Sequence, residues 1–387
     1  MVSRLVLAPL PRQGAKVGVR QRKDEISRIG RRLGFVDVRF ARIEAIDREE
    51  FYERWLEEGR AGDMRFLLHH KKARLDPRSR YPWARTMVSA FFPYAPPPPP
   101  PTRWREELRG RIASYAFGDD YHDVLADRLD RWAKEIAAAH AGKQARGFVD
   151  TAPVFEHEWA ARSGVGWTGK HTLTLSETRG SWGFLAELLL ELELDPDPPV
   201  ADRCGTCRRC IDVCPTGALE PGYLLDPRKC ISYLTIEHRG LIPSRWRHSI
   251  GEWVFGCDLC QEVCPWNDDR VGSRGEELHP RLVELLELSE AGFERRFGRS
   301  ALRRTGRFGL ARNAAVVLGN TGNPEAVAPL VRAVHSHEAE LVRAQAAGAL
   351  ATLREVDPSA VEAGLDTARK DDAVLVRDEV EKALDEL

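Results

Sequence analysis

The chain has 387 residues, 43% hydrophobic and 30% charged, which fits two or three globular domains and excludes a disordered chain. Its 58 Lys and Arg against 59 Asp and Glu leave a formal net charge of -1. That excludes a uniformly basic nucleic-acid binder but permits a locally basic face. No stretch reaches the roughly 18 apolar residues of a membrane span. The longest apolar run, Phe184 to Leu192, is interrupted by Glu187 and Glu191. The N-terminus lacks a sustained apolar region followed by a small-residue cleavage site, so a cytoplasmic protein is expected.

Residues 1–33 hold nine Lys or Arg against two acidic residues and read as a solvated basic leader, helical or loose. From Gly34, short β-like runs such as Thr86 to Phe92 alternate with helical periodicity, as in Tyr121 to His140. That alternation predicts an α/β or α+β domain which, with the leader, occupies 1–198. Within it Pro96 to Pro101 form a polyproline II surface loop. Asp195-Pro196-Asp197-Pro198-Pro199 opens a cysteine-rich, ferredoxin-like domain over 199–282. From 283 to 387 the pattern is all helical. Arg312-Asn313-Ala314-Ala315-Val316-Val317-Leu318-Gly319 is echoed 31 residues later, from Arg343 to Leu350, and more weakly from Arg377 to Leu384. With Asn323-Pro324 and Asp357-Pro358 in the turns, this predicts HEAT-like helical repeats, which usually present a surface.

All eight cysteines fall between Cys204 and Cys264. So tight a grouping in a large chain indicates metal ligands, not disulfides. Cys204-x2-Cys207-x2-Cys210-x3-Cys214-Pro215 has the bacterial iron–sulfur spacing, in which the fourth cysteine ligates the other cluster of a pair. It is poor zinc spacing. The second run is incomplete: Cys257, Cys260 and Cys264-Pro265 are correctly spaced, but Val254 stands where another thiol belongs, and Cys230 is left over. Two sets of four still result, Cys204, Cys207, Cys210 and Cys264 in one and Cys214, Cys230, Cys257 and Cys260 in the other. Two [4Fe–4S] clusters use every thiol.

Two such clusters make an electron wire, which must end at a reactive centre. The N-terminal domain has no cysteine and no G-x-G-x-x-G fingerprint, which argues against a Rossmann dinucleotide site. An organic or corrin cofactor held by shape and backbone contacts remains.

Val149-Asp150-Thr151-Ala152-Pro153-Val154 with Glu156, Gly164-Val165-Gly166-Trp167-Thr168-Gly169-Lys170-His171-Thr172, and Gly180-Ser181-Trp182-Gly183-Phe184-Leu185 together resemble the epoxyqueuosine reductase family. Asp120-Tyr121-His122, the split cysteine runs and Arg312-Asn313-Ala314 with Leu318-Gly319-Asn320 extend the resemblance from about residue 20 to the C-terminus. It implies a cobalamin-dependent enzyme with two [4Fe–4S] clusters that reduces the epoxide of epoxyqueuosine at the tRNA wobble position. An external flavodoxin- or ferredoxin-type protein would donate the electrons. Asp150 takes the place of the proposed proton donor, with a pKa raised by an apolar surround. Arg74, Ala113, Thr174, Leu185 and Ser232 would line the corrin, with Lys170 and His171 in the same loop. The family usually carries Asn where His171 stands. That departure suggests an imidazole ligand to cobalt, although the family binds its cobalamin without a protein histidine below the metal. Arg303, Arg304, Arg307 and Arg312 are expected on tRNA phosphates, and Arg239 at the modified base. Two other readings stand beside this one: a cobalamin-dependent, dehalogenase-like reductase of small molecules, and a non-catalytic electron carrier.

Overall fold

The structure, a computed structural model, describes residues 18–94, 103–267 and 279–385. The start of the basic leader and the six-proline tract lie outside the described residues. A four-stranded sheet organises the N-terminal part: β1 (Val36–Arg42), β2 (Thr86–Pro93), β3 (Ala145–Phe148) and β4 (Gly183–Leu190), in the order β1-β2-β4-β3. Every neighbouring pair is antiparallel. Of the two expected classes, α/β and α+β, the all-antiparallel neighbours select α+β. The chain does run strand–helix–strand from β2 to β3, the pattern that reads as a parallel unit, but β4 inserts between them. The result is a split crossover whose hydrogen-bonded neighbours are antiparallel.

Helices α1 (Val19–Arg32) and α2 (Tyr121–Ala139) cover one face of this sheet. The leader is thus helical over its described part. Strand periodicity sends Ala186, Leu188 and Leu190 of β4 to this face, against Leu125, Leu129 and Trp132 of α2. Gly30 of α1 is required here, because a Cβ at this position would come within 2.4 Å of the Trp132 ring. Helix α3 (Glu156–Ser163) packs on the opposite face, with Trp159 against Met87 and Leu189, and Ala160 against Phe91 and Leu185. Glu187 lies on this second face, 1% exposed, and burial pushes its carboxyl well above the usual range.

In the C-terminal region α4 (Gly306–Thr321), α6 (Glu340–Ala351) and α8 (Val374–Asp385) form an inner layer. Helices α5 (Val327–Ser336) and α7 (Pro358–Ala368) lie outside it. The echoed segments are these inner helices, and their small residues permit close approach. A Cβ at Gly319 would stand 2.9 Å from the Ala349 carbonyl oxygen. One hydrophobic core joins this stack to Ile231–Phe255 and to Leu108–Ala116. The short parallel pairing of Arg111–Ile112 with Trp253–Phe255 seals the junction. Among the described residues no helix is long and apolar enough to cross a membrane.

The first arginine of each echo closes a turn. Arg343 pairs with Asp371 at 2.7 Å, and Arg377 donates to the carbonyl of Asp371 at 2.6 Å. Arg312 is 0% exposed and donates to the carbonyls of Leu234 (2.9 Å), His238 (2.6 Å) and Gly240 (2.8 Å). Burial lowers its guanidinium to about 10. This corrects the expectation of a phosphate contact: Arg312 ties the repeats to the cluster region. Because each buried acceptor left without a donor costs about 1–3 kcal/mol, Arg312→Met should destabilise the holoprotein by at least about 3 kcal/mol in denaturant unfolding. Unchanged stability with weakened, salt-sensitive tRNA binding would return Arg312 to the interface.

Candidate active site

The site is built at the first turn of α2. Asp120 caps this helix through the His122 backbone N–H at 3.0 Å, and its Oδ1 also meets His122 Nδ1 at 2.7 Å. Helix geometry then presents two successive side chains to one carboxylate. Tyr121 Oη donates to Asp150 Oδ2 at 2.7 Å, and His122 Nε2 stands 3.0 Å from the same oxygen. Tyr121 is fixed by stacking on Phe184, with ring centroids 4.2 Å apart.

Asp150 follows β3 with φ of 48°, left-handed backbone that Asp and Asn adopt more readily than most residues. The Thr151 N–H donates to the Val149 carbonyl and closes a three-residue turn around it. Strained backbone of this kind costs about 1–3 kcal/mol and concentrates at functional sites. Desolvation pushes the Asp150 carboxyl upward, but hydrogen bonds from His122 and Tyr121 outweigh it and hold the group below its usual value. The expected rise is therefore absent at Asp150. It appears at its neighbour Glu156, where burial and then the Asp150 charge raise the carboxyl to about 8.

Asp150 stands where two cavities meet. A deep one of about 360 Å³ is walled by Tyr115, Leu185, Thr174 and His171, and Cys214, Cys230, Cys257 and Cys260 all line it. An outer cleft of about 1010 Å³ shares Tyr121, Asp150, Cys230 and Ser232 with it, and adds Arg74, Arg303 and Arg304. Cys204, Cys207, Cys210 and Cys264 line a separate small cavity of about 50 Å³. The fold thus gathers the thiols into the two groups of four that spacing predicted, with none in a disulfide. Helices Arg209–Val213 and Leu259–Glu262 pack together and carry one cysteine of each group. No three His, Cys, Asp or Glu side chains among the described residues converge as a site for a single ion. A cubane is ligated at its corners and needs its thiolates spread more widely.

The other expected cofactor residues divide. Arg74, Thr174, Leu185, Ser232 and His171 face the two joined cavities. Ala113 does not: it is 1% exposed in the core, its N–H bonded to the Phe255 carbonyl at 2.8 Å. Lys170 turns away to brace the first cysteine loop, donating to the carbonyls of Gly205 (2.6 Å) and Cys207 (2.9 Å). His171 separates the deep cavity from the small one. Its Nδ1 accepts the Leu173 N–H at 3.1 Å, so the neutral ring carries its hydrogen on Nε2. Burial, then neighbouring His157, lower it to about 4 and keep it neutral. Nε2 has no hydrogen-bond partner among the described residues. It is placed as a donor, which removes the suggested imidazole ligation of cobalt.

Of the expected tRNA arginines, Arg303 and Arg304 line the outer cleft, held by Asp120 (2.9 Å) and Glu237 (2.7 Å) respectively. Arg239 lies alongside, half exposed, donating to the Arg304 carbonyl at 3.2 Å. Arg307 is nearly buried between Glu290 (2.8 Å) and Glu338 (2.6 Å), away from the cleft. That corrects its expected phosphate role.

Residues 74–151 match the family model described as "Epoxyqueuosine reductase QueG, DUF1730", 203–267 a 4Fe-4S double cluster binding domain, and 299–385 HEAT repeats. The chain is 39% identical to the epoxyqueuosine reductase of Pseudomonas aeruginosa over 326 residues, covering 81% of this chain and 90% of that protein. The chain belongs to the epoxyqueuosine reductase family. The family's Xanthomonas campestris member is 38% identical over 336 residues, 84% of this chain and 94% of its own. Among solved structures, an epoxyqueuosine reductase with an epoxyqueuosine-modified tRNA-Tyr stem loop superposes with a TM-score of 0.87 at 28% identity, covering 95% of this chain and 99% of that one. The Streptococcus thermophilus epoxyqueuosine reductase gives 0.85 at 30% identity, covering 94% and 98%.

Set against the epoxyqueuosine reductase motifs, the Asp120-Tyr121-His122 segment identifies a site element without disclosing what it does. Only the fold shows that Tyr121 and His122 converge on a carboxylate 29 and 28 residues further along the chain.

Proposed function

We propose that this chain reduces the epoxide of epoxyqueuosine at the wobble position of tRNA to the alkene of queuosine, in the cytoplasm, with electrons from an external flavodoxin- or ferredoxin-type donor. The observation that carries this reading is the joined cavity, which runs from four thiols past Asp150 into an arginine-rimmed cleft. Cys204, Cys207, Cys210 and Cys264 hold one [4Fe–4S] cluster; Cys214, Cys230, Cys257 and Cys260 hold the other, beside the reactive centre. Cobalamin suits the space between: its walls are largely apolar and aromatic, and the unpartnered His171 Nε2–H offers a donor to an acceptor on the corrin periphery. Arg74, His171, Thr174, Leu185 and Ser232 would hold it, and when bound it supplies the low-valent cobalt that reduces the substrate.

The protein's own groups do the rest. The strained turn holds Asp150 at the cavity junction, where its carboxyl passes a proton to the epoxide oxygen as the C–O bond breaks. Tyr121 and His122 fix the orientation of that carboxyl. Arg303, Arg304 and Arg239 draw in the tRNA backbone, and the cleft receives the everted nucleotide. The test is anaerobic incubation of the cluster-loaded protein with epoxyqueuosine-containing tRNA and a reductant, with and without cobalamin, followed by nucleoside mass spectrometry. Queuosine formed only with cobalamin is the expected result. No conversion by protein that retains both clusters and cobalamin would overturn the proposal.

A further inference from the structure

Converting an epoxide to an alkene takes up two electrons and two protons and releases one water. A single carboxylic acid is therefore emptied before the reaction is complete, and Asp150 must be reloaded. Its Oδ2 is touched by two possible sources, Tyr121 Oη at 2.7 Å and His122 Nε2 at 3.0 Å. Burial and then the Asp150 charge push the Tyr121 phenol upward, so it keeps its proton. His122 is arranged differently. Its Nδ1 lies 2.7 Å from Asp120 Oδ1, and Asp120 is 3% exposed, its other oxygen anchored by Arg303 Nε at 2.9 Å. A buried carboxylate on one ring nitrogen orients the imidazole and stabilises its charged form, leaving the other nitrogen to transfer a proton.

We propose that His122 is the positioning residue that reloads Asp150 during turnover, through the chain Asp120–His122–Asp150. This rests on the epoxide-reduction reading. The Nε2 proton passes to Asp150 Oδ2, and Asp150 passes it to the substrate oxygen. The imidazole stays neutral with Nδ1–H on Asp120 until it takes a proton from water in the outer cleft, which it also lines. Two such transfers accompany two electrons, delivered singly by the external donor through the clusters. Both C–O bonds break, the carbon–carbon double bond forms, and the oxygen leaves as water.

The surrounding charges permit this. Asp120 and Asp150 flank the ring, with Asp123 and Arg303 paired beside it at 3.3 Å. From α3, Glu156 and His157 face Asp150, and the Glu156 carboxyl accepts the Asp150 backbone N–H. Burial and then the Asp150 charge raise that carboxyl to about 8, so it stays protonated near neutral pH and adds little negative charge there. Arg304 and Glu237 neutralise one another across the cleft at 2.7 Å. Burial pulls His122 downward, but hydrogen bonds and charges from Asp150 and Asp120 outweigh it and raise the group above its usual value. The imidazolium is present below that raised pKa, so the rate should fall as pH rises through it.

The test uses holoenzyme with both clusters and cobalamin, epoxyqueuosine-containing tRNA, and reduced methyl viologen, a one-electron donor whose potential does not change with pH. Iron and cobalamin content are measured for each variant. Wild type should show the alkaline decline. Asp120→Asn should move the decline to lower pH, and His122→Gln should remove it and lower the plateau about 100-fold or more. An unchanged plateau and decline in His122→Gln, or a decline that stays in place in Asp120→Asn, would overturn the relay. Wild type that holds its cofactors but forms no queuosine would instead overturn the underlying reading.

Discussion

Asp150→Asn should cut turnover about 10²- to 10⁴-fold, the range for loss of a general acid, while both clusters and cobalamin stay bound. Asn is the informative substitution. The φ of 48° at this position is left-handed backbone that Asn tolerates. The Asn side-chain oxygen can still accept from Tyr121 Oη, so the turn and its contacts survive and only the proton is lost. The two groups that fix the carboxyl also hold it ionised in this structure. Exclusion of water by a bound substrate would favour the protonated form, the condition that the proposed proton transfer requires. Queuosine formation is read against iron content and the visible spectrum of retained cobalamin. Full activity in Asp150→Asn would remove Asp150 from proton transfer.

The second large effect is expected at Cys230. This thiol lines both the deep cavity and the outer cleft, so a cluster held by it would adjoin the reaction space, whereas Cys204, Cys207, Cys210 and Cys264 lie around a separate cavity behind His171. Under the proposed ligation, the near cluster would be the one that supplies electrons to the reaction space. Cys230→Ser should lower iron from about eight to about four per chain, the content of a single cubane, and abolish turnover although the remote cluster survives. Cys204→Ser should remove the remote cluster and leave the near one. Iron analysis with electron paramagnetic resonance of the reduced proteins separates the two outcomes. Eight irons retained in Cys230→Ser would show that another group supplies the fourth ligand.

The cysteines were legible in the sequence because iron–sulfur ligation is partly a local matter. A tight loop must carry three thiolates at short spacing, and the thiol before proline must reach elsewhere. Counting then assigns Cys230, although the second run is broken at Val254, and the cavities group all eight the same way. The helical repeats were legible for a similar reason, since the echoed segments carry the small residues that each stacking contact needs. Asp150 stood out only through its motif.

Tertiary structure decided what depends on through-space neighbours. Spacing shows four arginines within ten residues, but desolvation and acceptor geometry separate them: Arg312 satisfies interior carbonyls, Arg307 is closed between two glutamates, and Arg303 and Arg304 reach the cleft. The sheet class turned on β4, a strand late in the chain that inserts between two earlier ones. The acid–base roles belong to the same category. The sequence determined that a carboxylate, a histidine and a tyrosine were available. Burial pushes both carboxyls up; at Asp150 hydrogen bonds from His122 and Tyr121 outweigh it, whereas at Glu156 burial and the Asp150 charge prevail, and both balances are set by neighbours across the fold.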